Sequence, residues 1–239
     1  HLQRLYDSCK AIALDPQMSI EEMEAAVTST VRANKKDDGY IRLVITRGDG
    51  PLGIDPSRCK KARIIIIVGD ISLYPQEYYS KGIRVCMSTY RRIPADCFDV
   101  RIKSLNYLNN VLAKIEARQN GCLESILLNS NGHVAECTGD NIFIVKDTRI
   151  VTPPVTEGAL EGITRKVIME IAQQAGLNMS EAVITRFDLY TADECFLTGT
   201  AAEVIPVVEI DNRLVGNGKP GKVTRELIDL FKNSIKLIN

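Results

Sequence analysis

The strongest constraint on this chain is a change of hydrophobic period along its length. Near the start, apolar residues recur at helical spacing. Ile20, Met23, Val27 and Val31 follow Ser19-Ile20-Glu21-Glu22, which has the form of a capping box, and the earlier stretch Leu2 to Leu14 also reads as helix. The period then falls to two: Tyr40 to Arg47 alternates and is β-branched, Ala62 to Ile71 is a continuous apolar run, and Gly82 to Tyr90 alternates again. Turns around Gly48-Asp49-Gly50-Pro51 and Gly69-Asp70 join these strands. Arg91-Arg92-Ile93-Pro94-Ala95-Asp96 breaks the pattern.

Beyond that break the spacing predicts a helix from about Asn106 to Asn120, stopped by Gly121. Strands follow near Glu124–Leu128, Asn141–Val145 and Arg149–Val151. Gly162 to Ala175 is a strongly amphipathic helix ended by Gly176, and strands near Glu194–Leu197 and Val204–Ile210 lead to a last helix, about Lys222 to Ile235. This mixed order predicts an α+β or α/β fold in two domains: a small domain over residues 1–90, an interdomain loop over 91–98 and a large domain over 99–239.

Composition removes several classes of function. The 239 residues carry 30 basic and 30 acidic side chains, so bulk electrostatic binding of nucleic acid is excluded. No apolar run reaches the roughly 18 residues a membrane span needs, and no apolar signal segment opens the sequence, so the expected location is the cytoplasm. Histidine occurs only at His1 and His133, the latter in the hairpin-like turn Asn129-Ser130-Asn131-Gly132-His133, which argues against a His-paired nucleophile or a zinc site; no metal is expected. The seven cysteines are scattered without a Cys-x-x-Cys pair and read as reduced, mostly buried residues.

Four segments could carry chemistry. Gly158-Ala159-Leu160-Glu161-Gly162-Ile163-Thr164-Arg165 sets glycines and a threonine before an apolar helix, and Thr198-Gly199-Thr200-Ala201-Ala202-Glu203 places small residues after a strand. Either can be ordinary capping or a cradle of N–H groups for a phosphate. Lys103, in Asp99-Val100-Arg101-Ile102-Lys103-Ser104-Leu105-Asn106-Tyr107, is either a solvated charge or an amine in a dry cleft able to form a Schiff base. Glu136, in Val134-Ala135-Glu136-Cys137-Thr138-Gly139-Asp140-Asn141, is either a solvated turn acid or a functional carboxylate.

Taken together and in this order, Lys103 to Tyr107, Glu136 to Asn141, Gly162 to Arg165 and Thr198 to Glu203 resemble the class IV, fold-type IV pyridoxal-phosphate enzymes. That family includes branched-chain aminotransferases, D-amino-acid transaminases and aminodeoxychorismate lyase. The resemblance implies pyridoxal 5'-phosphate as cofactor, with Lys103 as its covalent anchor and the base that moves the substrate α-proton. It implies that Glu136 keeps the pyridine nitrogen protonated, that Tyr107 donates to the ring phenolate oxygen and that Arg4 pairs with the phosphate. Ile163, Thr164 and Thr200 match the residues that complete the phosphate cup.

Within the family, Tyr40-Ile41-Arg42 and Thr200-Ala201-Ala202 resemble the branched-chain subgroup, which implies that Tyr40, Arg42, Thr200 and Ala201 hold substrate carboxylates. Leu43 stands where that subgroup usually has proline, and the Arg-x-His carboxylate trap of D-amino-acid transaminases is absent. The expected activity is transamination of L-leucine, L-isoleucine and L-valine with 2-oxoglutarate by a ping-pong scheme; a D-amino-acid transaminase or the lyase is the alternative. The resemblance also implies a homodimer or larger homo-oligomer. It implies further some tens of residues ahead of the His1 position, so that the small domain would be incomplete at its start.

Overall fold

The computed structural model describes residues 1–36, 38–71 and 74–236. They form two compact units: residues 1–72 with 102–104, and residues 73–101 with 105–239.

The first unit contains α1 (Leu2–Ala11), α2 (Ile20–Ala33) and the antiparallel pair β1 (Tyr40–Thr46) and β2 (Arg63–Gly69). Ser19 accepts from the Glu22 N–H while the Glu22 carboxylate accepts from the Ser19 N–H at 2.7 Å, the reciprocal capping expected of that tetrapeptide. The hydroxyl of Tyr6 donates to the Met18 and Ser19 carbonyls at 2.7 and 2.8 Å and so fastens α1 to the start of α2. Arg47 donates to the carbonyls of Ile12 and Ala13, satisfying acceptors that α1 leaves behind. The helix stops at Ala11, short of the expected Leu14, because Ala13 turns to a positive φ of 52°. In β1, Tyr40 and Arg42 share one face, paired in register with Gly69 and Ile67.

The second unit is built on a mixed sheet. Its chain order is α3 (Glu77–Lys81), β3 (Ile83–Arg91), α4 (Leu108–Gln119), β4 (Glu124–Leu128), β5 (Val134–Cys137), β6 (Asn141–Lys146), β7 (Arg149–Thr152), α5 (Ile163–Gln174), β8 (Met179–Glu181), α6 (Arg186–Tyr190), β9 (Glu194–Gly199), β10 (Glu203–Ile210), β11 (Arg213–Leu214) and α7 (Lys222–Lys236). The strands run β5-β4-β3-β10-β9-β6-β7-β8, with β11 on β10. Strand β3 lies parallel to both β4 and β10, whereas β9 is antiparallel to β10 and β6.

Both faces of strands β4, β5 and β6 are buried: every residue of β4 and β5, and all but the last of β6. Ile142 and Ile144 of β6 point into one core with Ile83, Val85 and Ile126; Phe143 and Val145 point into the other with Ile168 of α5 and Leu227 and Phe231 of α7. Phe143 and Phe196 stack there with ring centroids 4.8 Å apart. Glu194 caps α7, accepting from the N–H groups of Val223 and Thr224 at 3.0 and 2.7 Å. The seven cysteines are all free; Cys9, Cys86, Cys122, Cys137 and Cys195 are buried, Cys59 is half-buried and Cys97 exposed.

The division of the chain differs from the sequence reading. Strand β3 falls in the expected small domain of residues 1–90, yet its hydrogen bonds to β4 and β10 make it an inner strand of the second unit. Residues 91–98 then lie inside that unit, and the break by contact falls at residue 72. Alternation alone could show that 82–90 is a strand, not which sheet it joins.

Candidate active site

The second unit gathers its polar groups around one side chain, Asn141, the first residue of β6. Its amide donates to the Leu160 carbonyl at 2.9 Å and to Glu136 Oε2 at 3.3 Å. Its register partner on β9 is Thr198. A Cβ on Gly162 would lie 2.0 Å from Asn141 Oδ1, so only glycine allows the start of α5 to come this close. One asparagine therefore joins β5 to the loop into α5, in register with the end of β9. Ile163 and Thr164 are the first two residues of α5, and Thr200 and Ala201 occupy the turn between β9 and β10.

Glu136 is not a turn acid. It lies on β5, paired with Leu127 of β4, and its side chain is 7% exposed. Arg92 forms a 2.6 Å ion pair with its Oε1, and the Leu160 N–H donates to Oε2 at 2.7 Å. A carboxylate so supplied with donors is fixed in direction. Arg92 reads in the sequence only as part of a pattern break. No local signal marks it, because its partners are far along the chain.

Two further buried acids lie nearby. Glu124 Oε1 accepts from the N–H groups of Ser125 and Thr138 at 2.7 and 3.1 Å, and Lys114 reaches its Oε2 at 3.0 Å. Asp140 accepts from the Tyr74 hydroxyl at 3.0 Å. Burial, with Glu124 close by, pushes the Asp140 carboxyl up to about 7. The Tyr74 phenol is pushed well up by burial and by Asp140, and burial likewise raises the Cys137 thiol. A Cβ on Gly199 would lie 2.2 Å from Asp140 Oδ1, so this acid supports the turn that carries Thr200.

The first unit holds the remaining predicted residues. Ser8 Oγ donates to the Arg4 carbonyl at 2.8 Å and accepts from the Lys103 N–H at 3.2 Å, so one hydroxyl joins the backbones of α1 and of the segment 102–104. Lys103 is an exposed residue in irregular structure, and Arg4 is half-buried. In β1, Tyr40 is half-buried and Arg42 exposed. Tyr107 stands at the N-cap of α4 in the second unit, after the positive φ of 65° at Leu105 that delays this helix to Leu108.

The second unit fits an anionic ring-bearing cofactor. Gly162 caps α5 with no side-chain hydrogen bond, which leaves the start of a 12-residue helix to serve an external anion. The glycines at 162 and 199 let the side-chain oxygens of Asn141 and Asp140 close in on the two backbone turns where a Cβ would otherwise stand. Thr198 Oγ1 is buried and makes no hydrogen bond within the described residues.

Residues 1–210 match the family model for amino-transferase class IV. A relative named "Putative branched-chain-amino-acid aminotransferase" from Methanocaldococcus jannaschii is 47% identical over 233 residues, covering 98% of this chain and 80% of its own. The branched-chain-amino-acid aminotransferase of Escherichia coli strain K12 is 37% identical over 97% of this chain and 75% of its own. Among solved structures, an E. coli branched-chain amino acid aminotransferase superposes with a TM-score of 0.95 at 37% identity, over 98% of this chain and 77% of that one. The branched-chain amino acid aminotransferase of Thermobaculum terrenum, solved in its PLP-form, gives 0.91 at 33% identity, over 98% of this chain and 76% of that one. With the helix start, the buried glutamate and the glycine turn in the order the sequence motifs gave, this chain belongs to the class IV aminotransferases.

Proposed function

We propose that this chain transaminates branched-chain L-amino acids with 2-oxoglutarate, using pyridoxal 5'-phosphate. The cofactor part is carried by one observation: a buried Glu136, paired with Arg92, one hydrogen bond from the residues that lead into α5. The substrate class is supported by the names of the relatives, which are branched-chain enzymes at 37–47% identity.

Bound pyridoxal 5'-phosphate supplies an electron sink that stabilises negative charge at the substrate α-carbon. In the proposed assignment Glu136 holds a proton on the ring nitrogen and so keeps that sink open. Lys103 Nζ anchors the cofactor and then carries the α-proton away from the substrate and back. Tyr107 donates to the ring phenolate oxygen, and Arg4 pairs with the phosphate. The N–H groups of Ile163 and Thr164 with the hydroxyl of Thr200 complete the cup. Tyr40, Arg42, Thr200 and Ala201 are assigned to substrate carboxylates. A homodimer and a cytoplasmic location belong to the same proposal; among the described residues no helix is long and apolar enough to cross a membrane.

The test is a spectral titration of the cofactor-loaded protein with L-leucine, L-glutamate and D-alanine. L-leucine and L-glutamate should each convert the visible band, and D-alanine should not. Conversion by D-alanine alone would overturn the L-specific assignment. Release of pyruvate without an amino acceptor would place the chain with the lyases.

A further inference from the structure

The start of α5 is braced by a buried cation that the proposed roles leave unused. Arg165 is the third residue of the helix, and its side chain is 5% exposed. Its Nη2 donates to the Pro153 carbonyl at 2.9 Å and also pairs with the Glu181 carboxylate. Pro153 directly follows Thr152, the last residue of β7; Glu181 is the last residue of β8, and Thr152 and Glu181 are register partners. The guanidinium therefore joins the first turn of α5 to the ends of two adjacent strands.

A second brace reaches the same turn from β6. Asn141 Nδ2 holds the Leu160 carbonyl at 2.9 Å, and its Oδ1 fills the space beside Gly162, the cap residue of α5. Thr152 Oγ1 donates to the Ile142 carbonyl at 2.7 Å and ties β7 to β6, so both braces rest on one piece of sheet. Packing alone does not call for an arginine at the second of them. Arg165 Nε is buried without a hydrogen-bond partner among the described residues, and Glu181 is 42% exposed. Burying a cation on those terms costs desolvation that an aliphatic side chain of similar volume avoids. What the planar fork contributes is direction, set by a backbone carbonyl and a carboxylate together.

We infer that Arg165 is a positioning residue for the cofactor phosphate: it holds the first turn of α5 so that the N–H groups of Ile163 and Thr164 stay aimed at the anion. The inference rests on the assignment of this helix start to the phosphate of pyridoxal 5'-phosphate. The free N–H groups and the helix dipole bind the anion, and Arg165 fixes where they point.

The first measurement needs no cofactor. The Lys166 N–H closes the first turn on the Gly162 carbonyl at 3.0 Å, and its hydrogen exchange reports how firmly that turn is held. In Arg165→Gln this amide should exchange roughly tenfold faster, the worth of one hydrogen bond to a charged group, while amides from Ile171 onward keep their rates. The second measurement compares pyridoxal 5'-phosphate with pyridoxal, which lacks the phosphate. Arg165→Gln should weaken binding of the phosphorylated form on the order of tenfold, the size of a helix-terminal interaction with a partly buried anion, and change pyridoxal binding little. Arg165→Lys should recover part of the loss. Glu181→Gln, at an exposed position, should show a smaller loss with the same selectivity.

Equal losses for the two ligands in Arg165→Gln would make the residue a general support of the fold and overturn the inference. Unchanged exchange at Lys166 would overturn it as well. Should Arg165→Gln fail to fold, Glu181→Gln decides: a loss confined to the phosphorylated ligand upholds the inference, and equal losses or none overturn it. A wild-type chain that binds no pyridoxal 5'-phosphate would defeat the functional reading, and the phosphate assignment with it, while the exchange result at Lys166 stands.

Discussion

At the scale of single residues, the site depends on what is missing as much as on what is present. Gly162→Ala sets a Cβ 2.0 Å from Asn141 Oδ1, and the amide that holds Leu160 and Glu136 must move to admit it. The expected cost is about 1–3 kcal/mol of stability, the usual range for overpacking, and roughly a tenfold loss of cofactor affinity. Chemical denaturation reads the first and cofactor fluorescence the second; unchanged values for both would show that Asn141 has room to yield. Lys103, Glu136 and the two glycine segments were singled out in the sequence by their joint order, since each alone reads as an ordinary surface charge, turn acid or helix cap. Arg92 was not, because a buried arginine is explained only by acceptors on other elements, and no pattern of spacing names those in advance. For Lys103 the residue types left a solvated charge and an enclosed amine both open, and the side chain is exposed.

At the scale of elements, the long periodic segments were read almost to the residue. The box at Ser19 gave the start of α2, and Glu124–Leu128 was predicted with both ends correct. Ser19→Ala removes the acceptor for the Glu22 N–H and should cost about 1 kcal/mol, seen as a lower denaturation midpoint with an unchanged slope. A change in slope instead would mean that the denatured chain had been altered. The elements missed were short: α3, α6, β5, β8 and β11. Strand β5 spans only four residues and contains Glu136, so its alternation is too brief to stand out and its charge suggests a turn. For α6 there was a signal to find, since Thr185 and Asp188 form a capping box of their own.

At the scale of the whole molecule, stability should carry the mark of Asp140. Its carboxyl is raised from an ordinary 3.8 to about 7 in the folded chain, so between those values the folded state holds a proton that the unfolded state has released. Stability contributed through this group therefore falls as pH rises from about 4 to about 7 and levels off above. Asp140→Asn should remove that slope, and denaturation midpoints across the same range measure it; an unchanged slope would assign the pH dependence to another group. The order of elements made a two-domain αβ fold legible, and the misplaced boundary came from β3, whose sheet partners lie on either side of it in space and far from it in sequence. The cysteines have a practical consequence. Burial of five thiols also pushes each of them up from its usual acidity, so in the folded state they are both shielded and poor nucleophiles. A maleimide dye offered to the native chain thus meets Cys97 first and Cys59 after it, and a single fluorophore can be installed without engineering the sequence at all.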